Sequence, residues 1–119
     1  RMLKSNILND LKKQNIEIHT RTTFLQGLLL LKKNKIPKQF YKFKRYFENW
    51  YKLYNKLKIP KFKICLRYAL SNKYIDKVIV GIDSSKQLKM LINSAGFIKT
   101  KINSVDASKE INLINPSKW

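Results

Sequence analysis

The chain has 119 residues, enough for one small domain with a modest hydrophobic core. A lone cysteine, Cys65, excludes an internal disulfide and fits a reducing compartment. The longest apolar run, 28–31, is far too short to span a bilayer, and no signal-peptide pattern is present. These features predict a soluble, cytoplasmic protein.

Positive charge dominates the composition. Lysine and arginine total 26 against 7 acids, a formal net charge of +19, which favours an anionic partner. Most of these cations are lysines, which lack the bidentate fork of arginine, and the richness in Asn and Ile is typical of A/T-biased coding. We therefore interpret much of the excess as solvated surface. Residues 32–63 hold twelve basic residues and one acid, Glu48, so a polyanion site there stays open.

The first elements in the chain are predicted to be a helix and a strand. Apolar residues recur at helical spacing in 2–14, which indicates the end of an amphipathic helix. Because this periodicity is running by Leu3 without a cap before it, we expect an upstream portion of the protein to be missing. Residues 16–20 alternate in polarity, as a short strand does, and a polar turn at 21–23 follows.

The clearest helix is predicted at 38–57. Six apolar side chains recur there every three or four residues, which places them on one seam: Phe40, Phe43, Phe47, Trp50, Tyr54 and Leu57. Basic residues occupy the opposite face: Lys38, Lys42, Arg45, Lys52 and Lys56. We interpret the seam as core packing, in preference to a platform for stacked bases. A helix that is basic on one face and aromatic on the other also suits a membrane surface.

A further helix, a strand and a last helix are predicted downstream. Pro60 suits the first turn of a helix whose inward side chains are Phe62, Cys65, Leu66 and Ala69. The β-branched run 77–81 predicts a strand buried on both faces of a parallel sheet. Ser84 and Gln87 form a capping-box pattern for a helix that ends at Gly96. Alternating strands and helices predict an α/β fold, and the tail 97–119 is weakly patterned.

Two side chains that could take part in catalysis, His19 and Cys65, are interpreted as structural residues. His19, the only histidine, is interpreted as a strand residue because no partner for acid–base chemistry is evident. Cys65 lies on the apolar face of its helix, so we expect a buried and inert thiol.

Two separated segments carry a resemblance to the aldo/keto reductase family. The segment 16–29, IEIHTRTTFLQGLL, resembles the family's seventh barrel strand and the loop after it. The segment 65–95, CLRYALSNKYIDKVIVGIDSSKQLKMLINSA, is similar to the helix, eighth strand and eighth helix of the family. The resemblance implies that the chain, 1–119, is the C-terminal portion of a (β/α)8 barrel, with about two barrel strands, their helices and the tail 97–119.

The resemblance also implies a site. In such barrels a phosphate site is often built after strands seven and eight and at a helix N-terminus. Cofactor contacts are carried over by position to Arg21, Thr22, Leu25, Gly27, Gly81, Ser84 and Gln87. Three positions depart from the family pattern. Arg21 replaces an aromatic residue that stacks on nicotinamide, Asp83 stands near the usual cation for a 2′-phosphate, and Leu91 replaces an asparagine.

The resemblance implies an NAD(P)H-dependent oxidoreductase acting on a small carbonyl compound, with NADP or NAD as cofactor. The family's catalytic Asp, Tyr, Lys and His lie on earlier strands, and none of their motifs occurs here, so we expect this portion alone to be catalytically incomplete. The alternative hypothesis is a small lysine-rich nucleic-acid-binding protein that uses residues 32–63.

Overall fold

Helices dominate the computed structural model, which describes residues 6–95, 102 and 105–119. The α-helices are α1 (Ile7–Lys13), α2 (Lys44–Leu57), α3 (Lys61–Leu70), α4 (Ser85–Ala95) and α5 (Ile111–Ile114). Short 3₁₀ helices occur at Leu28–Leu30, Lys33–Lys35, Lys38–Phe43 and Pro116–Lys118. Two positions in the predictions, Leu3 and Gly96, lie outside the described residues.

Two short strands pair in parallel. Strands β1 (His19–Thr20) and β2 (Lys77–Val78) fall within the predicted strand segments and confirm their positions. The pairing extends beyond the strands: the Asp76 N–H donates to the Ile18 carbonyl at 2.9 Å, and the Ile79 N–H donates to the Thr20 carbonyl at 2.8 Å. Helix α3 packs against β2. The parallel pair with its helices confirms the α/β class.

The prediction that β2 is buried on both faces is wrong for this chain. Ile79, which directly follows β2, is 54% exposed, and Val78 and Val80 are half-buried. A strand becomes buried on both faces only when neighbouring strands and helices cover it. In the described part of the chain, β1 is the single strand paired with β2.

The predicted helix 38–57 is a 3₁₀ helix followed by an α-helix. The break falls at Phe43, whose backbone (φ −100°, ψ 17°) departs from the α-helical region. Since residues three apart eclipse in a 3₁₀ helix, Phe40 and Phe43 point to the same side and are both buried. Further along, Phe47 and Trp50 are buried as well, so the predicted core seam is confirmed there.

Two clusters of buried side chains form the core. One unites the first half of the seam with earlier and later residues: Leu28, Ile36, Phe40, Phe43, Phe47 and Leu113. The other contains Trp50, Ile64, Cys65 and Ile102. Leu113 and Ile102 come from the tail that the sequence left unpatterned. The tail is also attached by a hydrogen bond of 2.8 Å from the Tyr46 hydroxyl to Glu110.

Three local predictions need correction. Pro60 precedes the first turn of α3 instead of lying in it, because its ψ of 138° is extended, and its carbonyl accepts the Lys63 N–H at 2.9 Å. Ile64 was not predicted to be buried, yet it is the most buried side chain of α3. Ile7, one of the apolar residues at helical spacing in 2–14, is exposed, whereas Leu8 is the buried residue of α1.

Candidate functional site

The two predicted cofactor loops leave the same edge of the strand pair. In a parallel sheet the carboxyl ends of neighbouring strands meet at one edge, and the register places Thr20 beside Val78. The loop 21–27 and the loop 79–84 therefore begin side by side, joined by the hydrogen bond from the Ile79 N–H to the Thr20 carbonyl. The fold thus brings both sequence-predicted segments to one edge.

The loop 21–27 has an unusual backbone. Thr22, Leu25 and Gln26 have φ values of 63°, 50° and 51°, in the left-handed region that costs a residue with a Cβ about 1–2 kcal/mol. Gly27 follows with φ 81° and bears no such cost. The turn is closed by the Leu25 N–H, which donates to the Thr22 carbonyl at 2.8 Å.

Burial holds this loop in place. Leu28 begins the 3₁₀ helix after the loop and is buried in the first core cluster, so packing supports the strained turn. The Thr23 hydroxyl is buried inside the same loop without a hydrogen-bond partner among the described residues. Arg21 and Thr22 are exposed, whereas Leu25 and Gly27 are half-buried. The sequence predicted only a polar turn at 21–23.

The loop after β2 leads directly to the start of α4. Ser84 caps this helix: its hydroxyl oxygen accepts the Gln87 N–H at 3.2 Å, which confirms the predicted capping interaction. The reciprocal bond differs from the standard capping box, because Gln87 Oε1 accepts the N–H of Asp83 at 2.9 Å instead of that of Ser84. Both Ser84 and Gln87 therefore have a structural role at this helix end.

The start of α4 fits a phosphate group. The Leu88 N–H donates to the Ser84 carbonyl at 3.1 Å, so the helical ladder begins there and the first-turn N–H groups of Ser85 and Lys86 have no acceptor within the helix. Such groups, with the positive end of the helix dipole, favour an anion. A Cβ added at Gly81 would meet no atom within 4 Å, so the backbone before the helix is open to approach. Asp83 opposes an anion and Lys86 favours one.

His19 takes part in a surface network of side-chain contacts at the amino-terminal side of β1. Its Nε2 atom lies 3.0 Å from Glu17 Oε1, and Lys77 Nζ contacts the same carboxylate. These two contacts, that of Lys77 foremost, lower the pKa of Glu17. His19 is an exposed strand residue, as interpreted, but the Glu17 carboxylate is a partner that the sequence did not indicate.

Cys65 is buried in the second core cluster. Burial raises the pKa of its thiol to about 12, so the sulfur stays protonated near neutral pH and is a poor nucleophile. The expectation of a buried thiol is confirmed.

Other kinds of site find less support. No group of three or more His, Cys, Asp or Glu side chains that could hold a metal ion occurs among residues 6–95, 102 and 105–119. Within the same residues, no helix is both long and apolar enough to cross a membrane. A surface depression of about 330 Å³ lies between Phe40, Lys42 and Trp119, and none of the predicted cofactor residues lines it.

The strand pair, with two loops at its carboxyl edge and a capped helix after the second strand, defines an α/β protein, and this edge is its candidate functional site. A sequence model of the aldo/keto reductase family matches residues 1–113. The chain belongs to the aldo/keto reductase family, as its two motifs indicated. Membership implies a (β/α)8 barrel, of which the two parallel strands and their helices form a part. No curated protein and no solved structure matches the chain.

Proposed function

We propose that this chain supplies the cofactor-binding side of an NAD(P)-linked aldo/keto reductase barrel. The observation that carries the proposal is the joint exit of two loops from the carboxyl edge of β1 and β2, one of which ends at the capped start of α4. In (β/α)8 barrels this edge holds the active site, and a phosphate often lies at a helix N-terminus after strands seven and eight.

Each loop has a separate task in this proposal. The N–H groups of Ser85 and Lys86 hold a phosphate of the dinucleotide, and Ser84, whose oxygen accepts from Gln87, has a hydroxyl proton left to donate. Gly81 lets the cofactor approach the backbone. At the other loop, the exposed Arg21 covers the nicotinamide through its planar guanidinium. The bound nicotinamide supplies the hydride chemistry.

The remaining parts of the reaction come from outside the two loops. We propose that the catalytic side chains lie on preceding barrel strands, that the substrate is a small carbonyl compound, and that the enzyme is cytoplasmic. Asp83 bears on cofactor choice: a carboxylate at the phosphate-binding loop repels a 2′-phosphate and accepts hydrogen bonds from a free ribose hydroxyl. The proposal therefore includes a preference for NAD over NADP that a single substitution reverses.

A titration with the adenosine end of the cofactor tests the site. ADP-ribose and its 2′-phosphate are added to the chain while the amide NMR signals of 81–88 are followed. We expect shifts at Ser85 and Lys86 and tighter binding of ADP-ribose. Asp83→Arg should reverse that preference, since a cation then faces the 2′-phosphate. Ser84→Ala should weaken binding by about 1 kcal/mol, the value of one hydrogen bond.

A matched variant separates binding from helix capping. Ser84→Asp retains a good N-cap residue, and so keeps α4 stable, but places a negative charge where the phosphate should lie. We expect this variant to retain helicity by circular dichroism and to lose ADP-ribose binding. The assignment of the phosphate-binding loop would be wrong if Ser84→Asp bound ADP-ribose with wild-type affinity, or if the ligand shifted amide signals only in other regions.

A further inference from the structure

A continuous row of exposed polar side chains follows the outer face of 38–56. Its members are spaced four, three, four, three and four residues apart, and five of the six are cations: Lys38, Lys42, Arg45, Asn49, Lys52 and Lys56. All six are exposed, and in α2 the buried seam residues Phe47 and Trp50 occupy the other face. In the 3₁₀ helix the row borders the seam, since Lys42 Nζ lies 5.1 Å from the centroid of the Phe43 ring. Within α2, successive members from Arg45 to Lys56 are about one helical turn, roughly 5.4 Å, apart along the axis. Lys38 and Lys42 lie in the preceding 3₁₀ helix, which rises about 2.0 Å per residue. We call these six residues the basic row.

The basic row is more concentrated than general lysine richness requires. A coding bias alone distributes lysines over every solvent-facing surface. The exposed face of α4 instead mixes Lys86 and Lys89 with apolar side chains such as Leu88 and Ile92. In α1, Lys13 lies 3.7 Å from Asp10. The outer face of 38–56 therefore carries more exposed cations than α1 or α4.

Two acidic residues, Glu48 and Asp106, lie near the middle of the basic row. Glu48 lies beside it and pairs with Lys44 at 3.8 Å. Asp106 lines a surface depression together with Arg45 and Asn49. Positive charge is therefore least opposed at Lys38 and Lys42, since Glu48 precedes Lys52 by four residues on the same helix face.

One aromatic residue, Tyr41, lies among the cations of the basic row. Tyr41 is 61% exposed, and it follows Lys38 by three residues and precedes Arg45 by four, so its ring lies on the same side of the segment. A tyrosine exposed among cations offers a face on which a base can stack, and stacking suits unpaired bases of any sequence. A duplex hides its base faces, and a membrane surface is bound by apolar side chains that here are buried in the seam.

We propose that the basic row and Tyr41 form a binding surface for single-stranded nucleic acid. The cations neutralise successive phosphates, and Tyr41 stacks with one base. This function is independent of the proposed cofactor site, since the row lies on 38–56 and the cofactor loops lie at 21–27 and 79–84. The surface is therefore available whether or not a dinucleotide binds.

The test is fluorescence anisotropy of labelled oligouridylate with the 119-residue chain over a series of KCl concentrations. The double variant Lys38→Gln/Lys42→Gln should bind roughly tenfold more weakly. Its plot of log K against log salt should be shallower by about 1.4, the contribution of two phosphate contacts on a single strand. Tyr41→Ala should lose about tenfold in affinity, whereas Tyr41→Phe should bind like the wild type because it keeps the ring.

A charge-matched variant distinguishes a surface from a general polycation. Lys73→Gln/Lys89→Gln removes the same charge from exposed positions outside the row. We expect it to bind nearly as well as the wild type, with all variants giving the same far-ultraviolet circular dichroism. An equal loss of affinity in the two double variants would overturn the proposal, since an unspecific or unfolded polycation behaves in that way.

Two further measurements decide the class of partner. A duplex of the same length should bind more weakly than oligouridylate, and Tyr41→Ala should reduce that difference. Vesicles containing phosphatidylserine should not compete for the row at equal salt. Preferential binding to the duplex, or to the vesicles, would overturn the assignment to a single strand.

Discussion

Two regions of the chain differ in how they are held. The helical pack, composed of 28–70 and the tail residues that join it, buries its aromatic seam, with Ile64 only 1% exposed. The strand edge, composed of β1, β2 and α4, leaves large apolar side chains open, with Ile92 63% exposed. Both segments are patterned for burial in the sequence. In this chain the pattern is fulfilled more completely in the helical pack than on the strand edge, where Leu91 is buried but Leu88 and Ile92 are exposed.

In the proposed barrel, the strand edge is the region that further strands and helices would cover. The helical pack finds its contacts within the described residues, whereas the apolar side chains of the strand edge have the composition of a surface that meets further strands and helices. The proposed cofactor loops lie on this second region. The loop 79–84 is supported by hydrogen bonds and capping, whereas the loop 21–27 is also held by the burial of Leu28 in the helical pack.

The largest expected effect is on stability in the helical pack. Ile64→Ala should reduce the free energy of unfolding by about 2–5 kcal/mol, because it removes buried methyl groups and leaves a cavity. Ile92→Ala makes the same change on the exposed face of α4 and should cost at most about 0.5 kcal/mol. Urea unfolding followed by tryptophan fluorescence measures both. Similar losses in the two variants would show that the strand edge is covered after all.

A smaller effect is expected from the buried thiol of the helical pack. Burial raises the pKa of Cys65 to about 12 from an ordinary value of 9.0, so between these values the folded chain holds a proton that the unfolded chain has released. The resulting stability is complete below pH 9.0 and is lost as the pH rises toward 12, by up to about 1.4 kcal/mol per pH unit.

Cys65→Ala tests this effect. The variant keeps Tyr51, whose pKa is raised by burial, so the contribution of this hydroxyl cancels in a comparison with the wild type. The pKa of Lys61 is lowered mainly by burial and is also coupled to the thiol, so the comparison reports Cys65 together with its coupling to Lys61. Urea unfolding at several alkaline pH values should give a steeper decline for the wild type. Parallel slopes would mean that the thiol is accessible to solvent.

The sequence predicted the fold where its pattern was local. Helical spacing identified the seam that includes Phe47 and Trp50, and the strand positions were found because β-branched runs and alternation are short-range signals. The tail was missed: Leu113 is buried by contacts with residues about seventy positions earlier, which no local periodicity reveals. The 3₁₀ start at Lys38–Phe43 has the same apolar spacing as an α-helix, so the pattern could not distinguish them.

The candidate site was predicted partly by chemistry and partly by resemblance. The cap at Ser84 followed from residue types alone, since a hydroxyl and an amide three residues apart suit a helix start. The meeting of 21–27 with 79–84 required the family's strand order, because parallel pairing is not encoded in either segment. The left-handed backbone at Leu25 and Gln26 had no sequence signal, as neither residue favours it.

The smallest expected effect concerns Asp76, which joins α1 to the strand edge. One carboxylate oxygen accepts the Ile18 N–H at 2.7 Å and also contacts Lys12 Nζ. These contacts, the backbone N–H foremost, lower the pKa of Asp76 below its ordinary value of 3.8. The stability that they contribute is therefore present above that value and is lost as the pH falls through the lowered pKa. Exposure of the carboxylate keeps the effect modest.

Asp76→Asn should weaken the contact between α1 and the strand edge without unfolding the helical pack. The amide loses its charge attraction to Lys12 and accepts more weakly from Ile18, so amide exchange at Ile18 should quicken while that at Trp50 stays slow. Glu17→Gln is the matched control, because Glu17 contacts only side chains in its network and its loss should leave the Ile18 amide unchanged. Since the strand pair sets where 21–27 and 79–84 begin, Asp76→Asn should also broaden the amide signals of those loops. Unchanged exchange at Ile18 would show that the backbone pairing with β2 alone holds the strand edge.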